Sequence, residues 1–203
     1  MSTLIKRYFF FILGLIINSF GVAFITKSAL GTSQISSIPY VLSLKFTNLS
    51  FGQTTFIFNM LFILIQLLIL KKDFRPIQFL QIAANILFSS FIDVSMTLLT
   101  GLNPQTIPLR TLSLLVGCAI KVPGEGIVHA MARVSGMEFG KVKIRFDVTL
   151  IVMATLLSFL FFHKLNGIGL GTIISAVLVG PMISFVNRYL PGIGKIRALA
   201  DRH

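Results

Sequence analysis

The sequence predicts an all-α integral membrane protein, a six-span helical bundle built as an inverted repeat of two three-span units with short broken or re-entrant segments. The 203 residues have a mean hydropathy of +0.90 and are 55% hydrophobic but only 12% charged. A soluble domain usually carries about 25% charged residues. Several uncharged stretches reach the roughly 18 residues that indicate a transmembrane helix. In addition, SFGQTTFIFN at 50–59 recurs as EFGKVKIRFD at 138–147.

Six apolar segments are predicted to cross the membrane, three in each half of a single membrane domain that covers 1–203. Half one (1–100) has spans near 8–25, 54–70 and 77–99, and half two (101–203) has spans near 106–120, 146–162 and 168–186. The segment 106–120 is weak, because only ten uncharged residues separate Arg110 from Lys121. A span needs about 17 to 25 residues, so this segment crosses only if both cations snorkel to the interfaces.

Four basic clusters decide the number of crossings. They lie at 6–7, 71–75, 133–145 and 188–202. The positive-inside rule places all four in the cytoplasm. Because Arg75 and Arg133 then lie on one side, an even number of spans separates them, and the weak segment must cross. Both termini are therefore predicted to be cytoplasmic, in a cell membrane. Nucleic acid is not a predicted partner, because no basic stripe lies on a soluble face.

The repeated stretch relates the two halves. Gly52 aligns with Gly140, 88 residues later, and Asn59 aligns with Asp147. Because each half has three spans, the second enters the membrane the other way up, as in inverted-topology repeats. The neutral copy then lies outside and the basic copy inside, so the cations at 141–145 record orientation. Binding of anionic lipid or phosphate is the alternative interpretation.

Half two is shorter than half one. From Lys6 to Gly52 there are 46 positions, but from Arg110 to Gly140 there are only 30. The missing residues fall in or just after the weak fourth span. Either that span is a truncated helix or a deletion lies there.

The chain resembles the YczE/YyaS/YitT group of bacterial multi-pass membrane proteins over most of its length. The resemblance rests on GVAFITKSALG (21–31), VPGEGIVHAM (122–131), SGMEFGKVKIRFDVTL (135–150) and GIGLGTIISAVLVGPMI (167–183). The group typically shows a Gly/Pro-rich turn, an acid, a short amphipathic stretch, a Gly, and a helix opening with Asn or Asp. Glu125 and Asp147 occupy the two acid positions of half two, whereas Ser37 is a departure in half one. The resemblance implies the fold, and transport is suspected for the group by analogy.

Glu125 is a candidate substrate-binding residue because it lies in an interrupted stretch. Pro123 and Gly124 precede it and Gly126 follows, and such punctuation breaks helices. The sequence predicts a short broken segment at 126–133, equivalent to 33–46 in half one. Paired interruptions in inverted halves mark transporter binding sites. His129, one turn further on, either shares a proton or a ligand with Glu125 or lies at headgroup level.

Three further polar residues in apolar segments complete the predicted site. Asp147 opens the fifth span, and intramembrane acids are functional hypotheses by default; the alternative is an interfacial pair with Lys143. Asn59 is its counterpart in the repeat, with a helix–helix hydrogen bond as the alternative. Asp93 shares a helix face with Ser89 and neighbouring small residues, which either packs against other helices or lines a cavity.

The predicted function is a small permease that works by alternating access between the halves. Its partners would be the lipid bilayer and a small polar or cationic substrate, and the small bundle is compatible with a homodimer. The alternative is a non-transporting scaffold or assembly factor with a basic cytoplasmic face. No enzyme activity, cofactor or metal site is predicted. The sequence contains no P-loop, HExxH, nucleophile elbow or dinucleotide fingerprint, and its one cysteine excludes an intrachain disulfide.

Overall fold

All regular secondary structure in the part of the chain that the structure describes is helical, which confirms the all-α fold class. This computed structural model describes residues 3–70, 80–133 and 140–189, and the side chains of 122–146 and 180–189 lie outside the described part. The helices are α1 (Thr3–Lys27), a short 3-10 helix (Gln34–Ser36), α2 (Ser37–Lys45), α3 (Phe51–Leu70), α4 (Leu80–Leu98), α5 (Ile107–Arg133), α6 (Gly140–Phe162) and α7 (Leu170–Tyr189).

Each of the six apolar segments of the sequence overlaps one of the long helices, α1 and α3 to α7, although the segments predicted at 77–99, 106–120 and 168–186 extend past the ends of theirs. Among the described residues, two helices are long and apolar enough to cross a membrane, Tyr8–Lys27 and Leu80–Leu98. Shorter apolar helical stretches occupy Phe51–Ile65, Asp147–Phe162 and Leu170–Val179.

Among the described residues, the most extensive helix contact is that of α1 with α5, and two glycines allow their approach. A Cβ atom built on Gly21 would lie 2.6 Å from the Cα of Lys121, and one built on Gly117 would lie 2.7 Å from the backbone nitrogen of Ile25. Residue numbers rise along α1 as they fall along α5, so the two helices run antiparallel at this crossing. Glycine is required at both positions because only a bare backbone fits between the helices.

The remaining helices pack around this crossing pair. On one side α1 packs against α4, with Val22 and Ile92 in one buried cluster, and α4 packs against α3. On the other side α5 packs against α7, with Cys118 beside Val179. The short helix α2 contacts α3 and α6, and the 3-10 helix contacts α6 and α7. The interrupted segment of half one therefore lies against helices of half two.

One prediction about half two is wrong. The sequence predicted a break at Pro123–Gly124 and a separate short segment at 126–133, but α5 continues without interruption for 27 residues to Arg133. Proline removes one backbone hydrogen bond and bends a helix. Transmembrane helices nevertheless tolerate it when neighbouring groups satisfy the freed carbonyl. The weak segment predicted at 106–120 therefore corresponds to the first part of α5 (Ile107–Arg133).

Candidate functional site

The interruption of half one is a buried polar segment between α1 and α2. Six of its side chains are buried, namely Ser28, Thr32, Ser33, Gln34, Ser36 and Ser37. The Thr26 hydroxyl donates to the Val22 carbonyl at 2.9 Å and lies 2.6 Å from the Thr32 hydroxyl, so the Thr32 hydroxyl is the donor of that pair. Non-helical backbone inside a bundle needs such partners, because water is absent there to supply them.

This segment docks on the first turn of α7. The backbone N–H of Gly171 donates to the Leu30 carbonyl at 2.8 Å, and the N–H of Thr32 donates to the Thr172 hydroxyl at 3.1 Å. Gly31 has a φ of +129°, a conformation that side chains rarely adopt. A Cβ on Gly171 would lie 2.8 Å from Leu30. Two glycine-containing motifs far apart in the sequence, 21–31 and 167–183, therefore meet here.

Asp93 ties the end of α4 to the beginning of α3. Its carboxylate accepts the backbone N–H of Gly52 at 2.7 Å and the hydroxyl of Ser50 at 2.5 Å. Ser50 and Gln53 also form a capping box, with the Gln53 N–H donating to the Ser50 hydroxyl at 3.0 Å and the Ser50 N–H donating to the Gln53 amide oxygen at 2.9 Å. Asp93 is thus the second anchor of the α3 N-terminus, where a negative charge is favourable.

Asn59 makes the interhelical hydrogen bond that the sequence raised as the alternative to a site role. Its amide donates to the Asn85 side-chain oxygen on α4 at 2.8 Å. The Asn85 amide donates in turn to the Phe56 carbonyl at 3.1 Å, and the Ser89 hydroxyl donates to Asn85 at 3.3 Å. The bond is partly buried, with Asn85 only 6% exposed, and an unpaired buried amide would be costly.

The structure does not gather the five predicted site residues into one place. Asn59 is seven residues along α3 from Gly52, the contact of Asp93, which is a rise of about 10 Å. Asp147 is half-buried in the second turn of α6, a helix that packs mainly against α2. Glu125 and His129 are one turn apart on the backbone of α5, and their side chains lie outside the described part.

Two features of the site escaped the sequence interpretation. The capping box of Ser50 and Gln53 had a readable signal, a serine followed three residues later by a glutamine before an apolar run. Lys121 was assigned to a membrane interface, but it lies in the crossing of α1 and α5 and is only 3% exposed. Lys121 lies inside α5 and not at its end, whereas the predicted break at Pro123 had placed it at the end of a short span.

Two neighbouring cavities share Asp93. The first has a volume of about 470 Å³ and is lined by Lys27, Ser50, Gln53, Asp93 and Thr97, among others. The second, of about 420 Å³, lies between α3 and α4. Both volumes are in the range of small-molecule sites. Within the described residues, no group of three or more His, Cys, Asp or Glu side chains could hold a metal ion.

The family model of a family of unknown function (DUF6198) matches residues 5–122 and 119–188. The chain belongs to DUF6198. No curated protein and no solved structure matches it. The two DUF6198 matches meet at 119–122, within α5 and beside the Gly117 crossing.

Proposed function

We propose that this DUF6198 member is a six-span membrane protein that works as a small permease. The membrane location is supported by the distribution of side chains, which are largely polar inside the bundle and apolar on its outer surface. Among the described residues, 18 polar or charged side chains are buried and only 14 hydrophobic ones. Large apolar side chains are at the same time exposed on the outer helices, such as Leu68 (63%), Leu156 (65%) and Val177 (65%). Soluble monomers rarely expose contiguous apolar surface on this scale, whereas lipid-facing helices do.

The directions of the helices support six crossings with both termini on one side. The Gly52–Asp93 and Asn59–Asn85 hydrogen bonds require α3 and α4 to be antiparallel. The α1–α5 crossing is also antiparallel, and α7 begins beside Leu30, at the end of α1. The connections at 71–79 and 134–139 and the C-terminal residues then share the cytoplasmic side under the positive-inside rule.

The packing of the helices supports the inverted repeat. The contact of α1 with α4 in half one has its counterpart in the contact of α5 with α7 in half two, and α1 and α5 cross each other at Gly21 and Gly117. A pseudo-two-fold axis through that crossing would exchange the halves. The same arrangement supports kinship of fold with the YczE/YyaS/YitT group, whose motifs at 21–31 and 167–183 dock on each other.

The permease would work by rocking one half against the other around a site at this interface. The interrupted segment of half one lies there, and half-helices of this kind bind substrates in inverted-repeat transporters. We assign the substrate to small polar or cationic solutes, and we keep the five polar residues predicted from the sequence as separate candidates for binding it, since the structure does not bring them together in one place. The candidate residues are Glu125, Asp147, Asn59, Asp93 and His129.

Topology is tested with single cysteines in a Cys118→Ser background. Thr100→Cys should react with a membrane-impermeant maleimide from the outside of intact cells, whereas Arg75→Cys should react only after the membrane is permeabilised. Labelling of both from the same side would contradict an odd number of crossings between 75 and 100.

Transport is tested by uptake of labelled amines, zwitterions and polyols into liposomes that contain the purified chain. Glu125→Gln and Asp147→Asn should abolish uptake of any transported solute, whereas Asp201→Asn, in a cytoplasmic basic segment, should not. Uptake that survives in both site variants would refute this site. Absence of flux for every solute would refute the permease and favour a scaffold, whose partner should then be lost from Lys141→Gln and Lys143→Gln variants.

A further inference from the structure

The two cavities at Asp93 differ in chemistry. The first, at the ends of α1, α3 and α4, contains a carboxylate, an ammonium group and the polar side chains of Ser50, Gln53 and Thr97. Most of the lining surface of the second is apolar, and Phe56, Ile57 and Ile86 contribute to it beside polar side chains such as Ser89 and Ser90. Asp93 and Gln53 border both cavities. A polar chamber and an apolar groove therefore meet at one acidic residue.

The two charges of the polar chamber are not neutralised by each other. In the part of the chain that the structure describes, no ion pair joins Lys27 to Asp93, although both line the chamber. The Asp93 oxygens each accept one hydrogen bond, from Gly52 and Ser50, and each retains capacity for another. The chamber thus presents one negative and one positive group to a single occupant.

The apolar groove opens on the outer surface of the bundle. Ile57 of α3 is 55% exposed and Ile86 of α4 is 49% exposed, so the groove faces the region that hydrocarbon fills in the proposed membrane protein. The groove and the chamber have Asp93 and Gln53 in common in their linings. An occupant of both needs a charged head and an apolar tail.

We infer that the two cavities bind one zwitterionic amphiphile, a phospholipid with an ammonium headgroup such as phosphatidylethanolamine. Its ammonium lies on Asp93, its phosphate faces Lys27, and one acyl chain lies in the groove between α3 and α4. Charge-assisted hydrogen bonds of this kind are about twice as strong as neutral ones. This inference rests on the proposed membrane placement and not on transport.

The absence of tryptophan from the chain allows a local reporter. Phe56→Trp places one indole in the groove, and Phe159→Trp places one at a phenylalanine of α6 that is 49% exposed and lines neither cavity. Each variant is reconstituted in phosphatidylglycerol vesicles that contain a small, equal fraction of brominated-chain phosphatidylethanolamine or brominated-chain phosphatidylglycerol. Bromine quenches indole fluorescence on contact, so the difference between the two lipids measures headgroup preference at that position.

The Phe56→Trp variant should be quenched more by the ethanolamine lipid than by the glycerol lipid, and the Phe159→Trp variant equally by both. Adding Asp93→Asn should abolish the preference, because the negative charge is removed. The amide oxygen can still accept the Gly52 N–H, so the contact with α3 is kept. Thermal unfolding followed by circular dichroism checks that this variant folds. An equal preference at both reporters, or one that survives Asp93→Asn in a folded protein, would overturn the inference.

Free phosphoethanolamine distinguishes an amphiphile from a small zwitterion. The soluble headgroup has no tail for the groove, so at the concentration of the brominated lipid it should leave the preference intact. Displacement at that concentration would overturn the amphiphile in favour of a small solute in the polar chamber. Because no uptake is measured, failure of the permease proposal leaves this result unaffected.

Discussion

The carboxylate of Asp93 accepts the backbone N–H of Gly52 at 2.7 Å, across 41 residues of sequence. This bond joins the last turns of α4 to the first turn of α3, and the Ser50 hydroxyl adds a second contact to the same carboxylate. The first N–H groups of a helix have no partner within the helix. Asp93, a side chain of the neighbouring helix, therefore supplies the acceptor that the Gly52 N–H lacks within α3.

Replacing this carboxylate should destabilise the bundle. We expect Asp93→Ala to lower the free energy of unfolding by about 1–3 kcal/mol, the cost of leaving a buried donor unpaired. Asp93→Asn should cost less, because its oxygen still accepts the Gly52 N–H. Unfolding of the detergent-solubilised protein, followed by circular dichroism during titration with dodecyl sulfate, measures both. Equal stability of the Ala and Asn variants would contradict a hydrogen-bonding role.

The Asn59–Asn85 hydrogen bond should contribute a measurable coupling between α3 and α4. A double-mutant cycle of Asn59→Leu and Asn85→Leu should give a coupling energy of about 0.6 kcal/mol, the average for interhelical hydrogen bonds in membranes, and at most about 1.7 kcal/mol. The control cycle pairs Asn59→Leu with Thr111→Val, an exposed residue of α5, and should be additive. Additivity in the first cycle as well would mean that the bond does not stabilise the fold.

Alanine at the α1–α5 crossing should disrupt helix packing. A Cβ on Gly21 would lie 2.6 Å from the Cα of Lys121, so the helices must separate to admit it. We expect Gly21→Ala to cost about 1–3 kcal/mol, the usual penalty of overpacking. Gly101→Ala is the matched control, since nothing lies within 4 Å of its added Cβ. The two variants can be compared by their melting temperatures in detergent, and similar losses would refute the crossing.

Loss of the Thr172 hydroxyl should weaken the docking of the interrupted segment. Thr172→Val keeps the shape of the side chain but leaves the buried N–H of Thr32 without its acceptor. A loss of about 1–3 kcal/mol is expected, together with faster hydrogen exchange of the Thr32 amide, measured by mass spectrometry of peptides that cover 28–37. The exposed Thr111→Val should change neither quantity, and unchanged exchange in Thr172→Val would show that the hydrogen bond is not maintained.

Local pattern was sufficient to predict the helices but not their internal contacts. The apolar segments overlap α1 and α3 to α7, because long apolar runs with few Gly or Pro residues favour helices. The same rule misplaced the boundary in half two. Pro123 and Gly124 are helix breakers in local terms, yet α5 passes through them.

In the candidate site, too, the sequence identified the polar residues but not their partners. The polar residues Asn59 and Asp93 were identifiable because they interrupt apolar helices. Their partners were not, because Asn85 and Gly52 are chosen by the register of α3 on α4. The role of Asp147 in a substrate site stays a prediction, as do those of Glu125 and His129.

The sequence by itself determined the all-helical class, the positions of the apolar helices and the repeat that relates 50–59 to 138–147, because these depend on composition and spacing along the chain. Three contacts were decided only by the tertiary structure. Gly21 allows the close approach of α5, the Gly171 N–H donates to the Leu30 carbonyl, and Asp93 caps the N-terminus of α3. These contacts depend on the angle and register at which helices meet. Both are set by the summed packing of many side chains, and no short stretch of sequence encodes them.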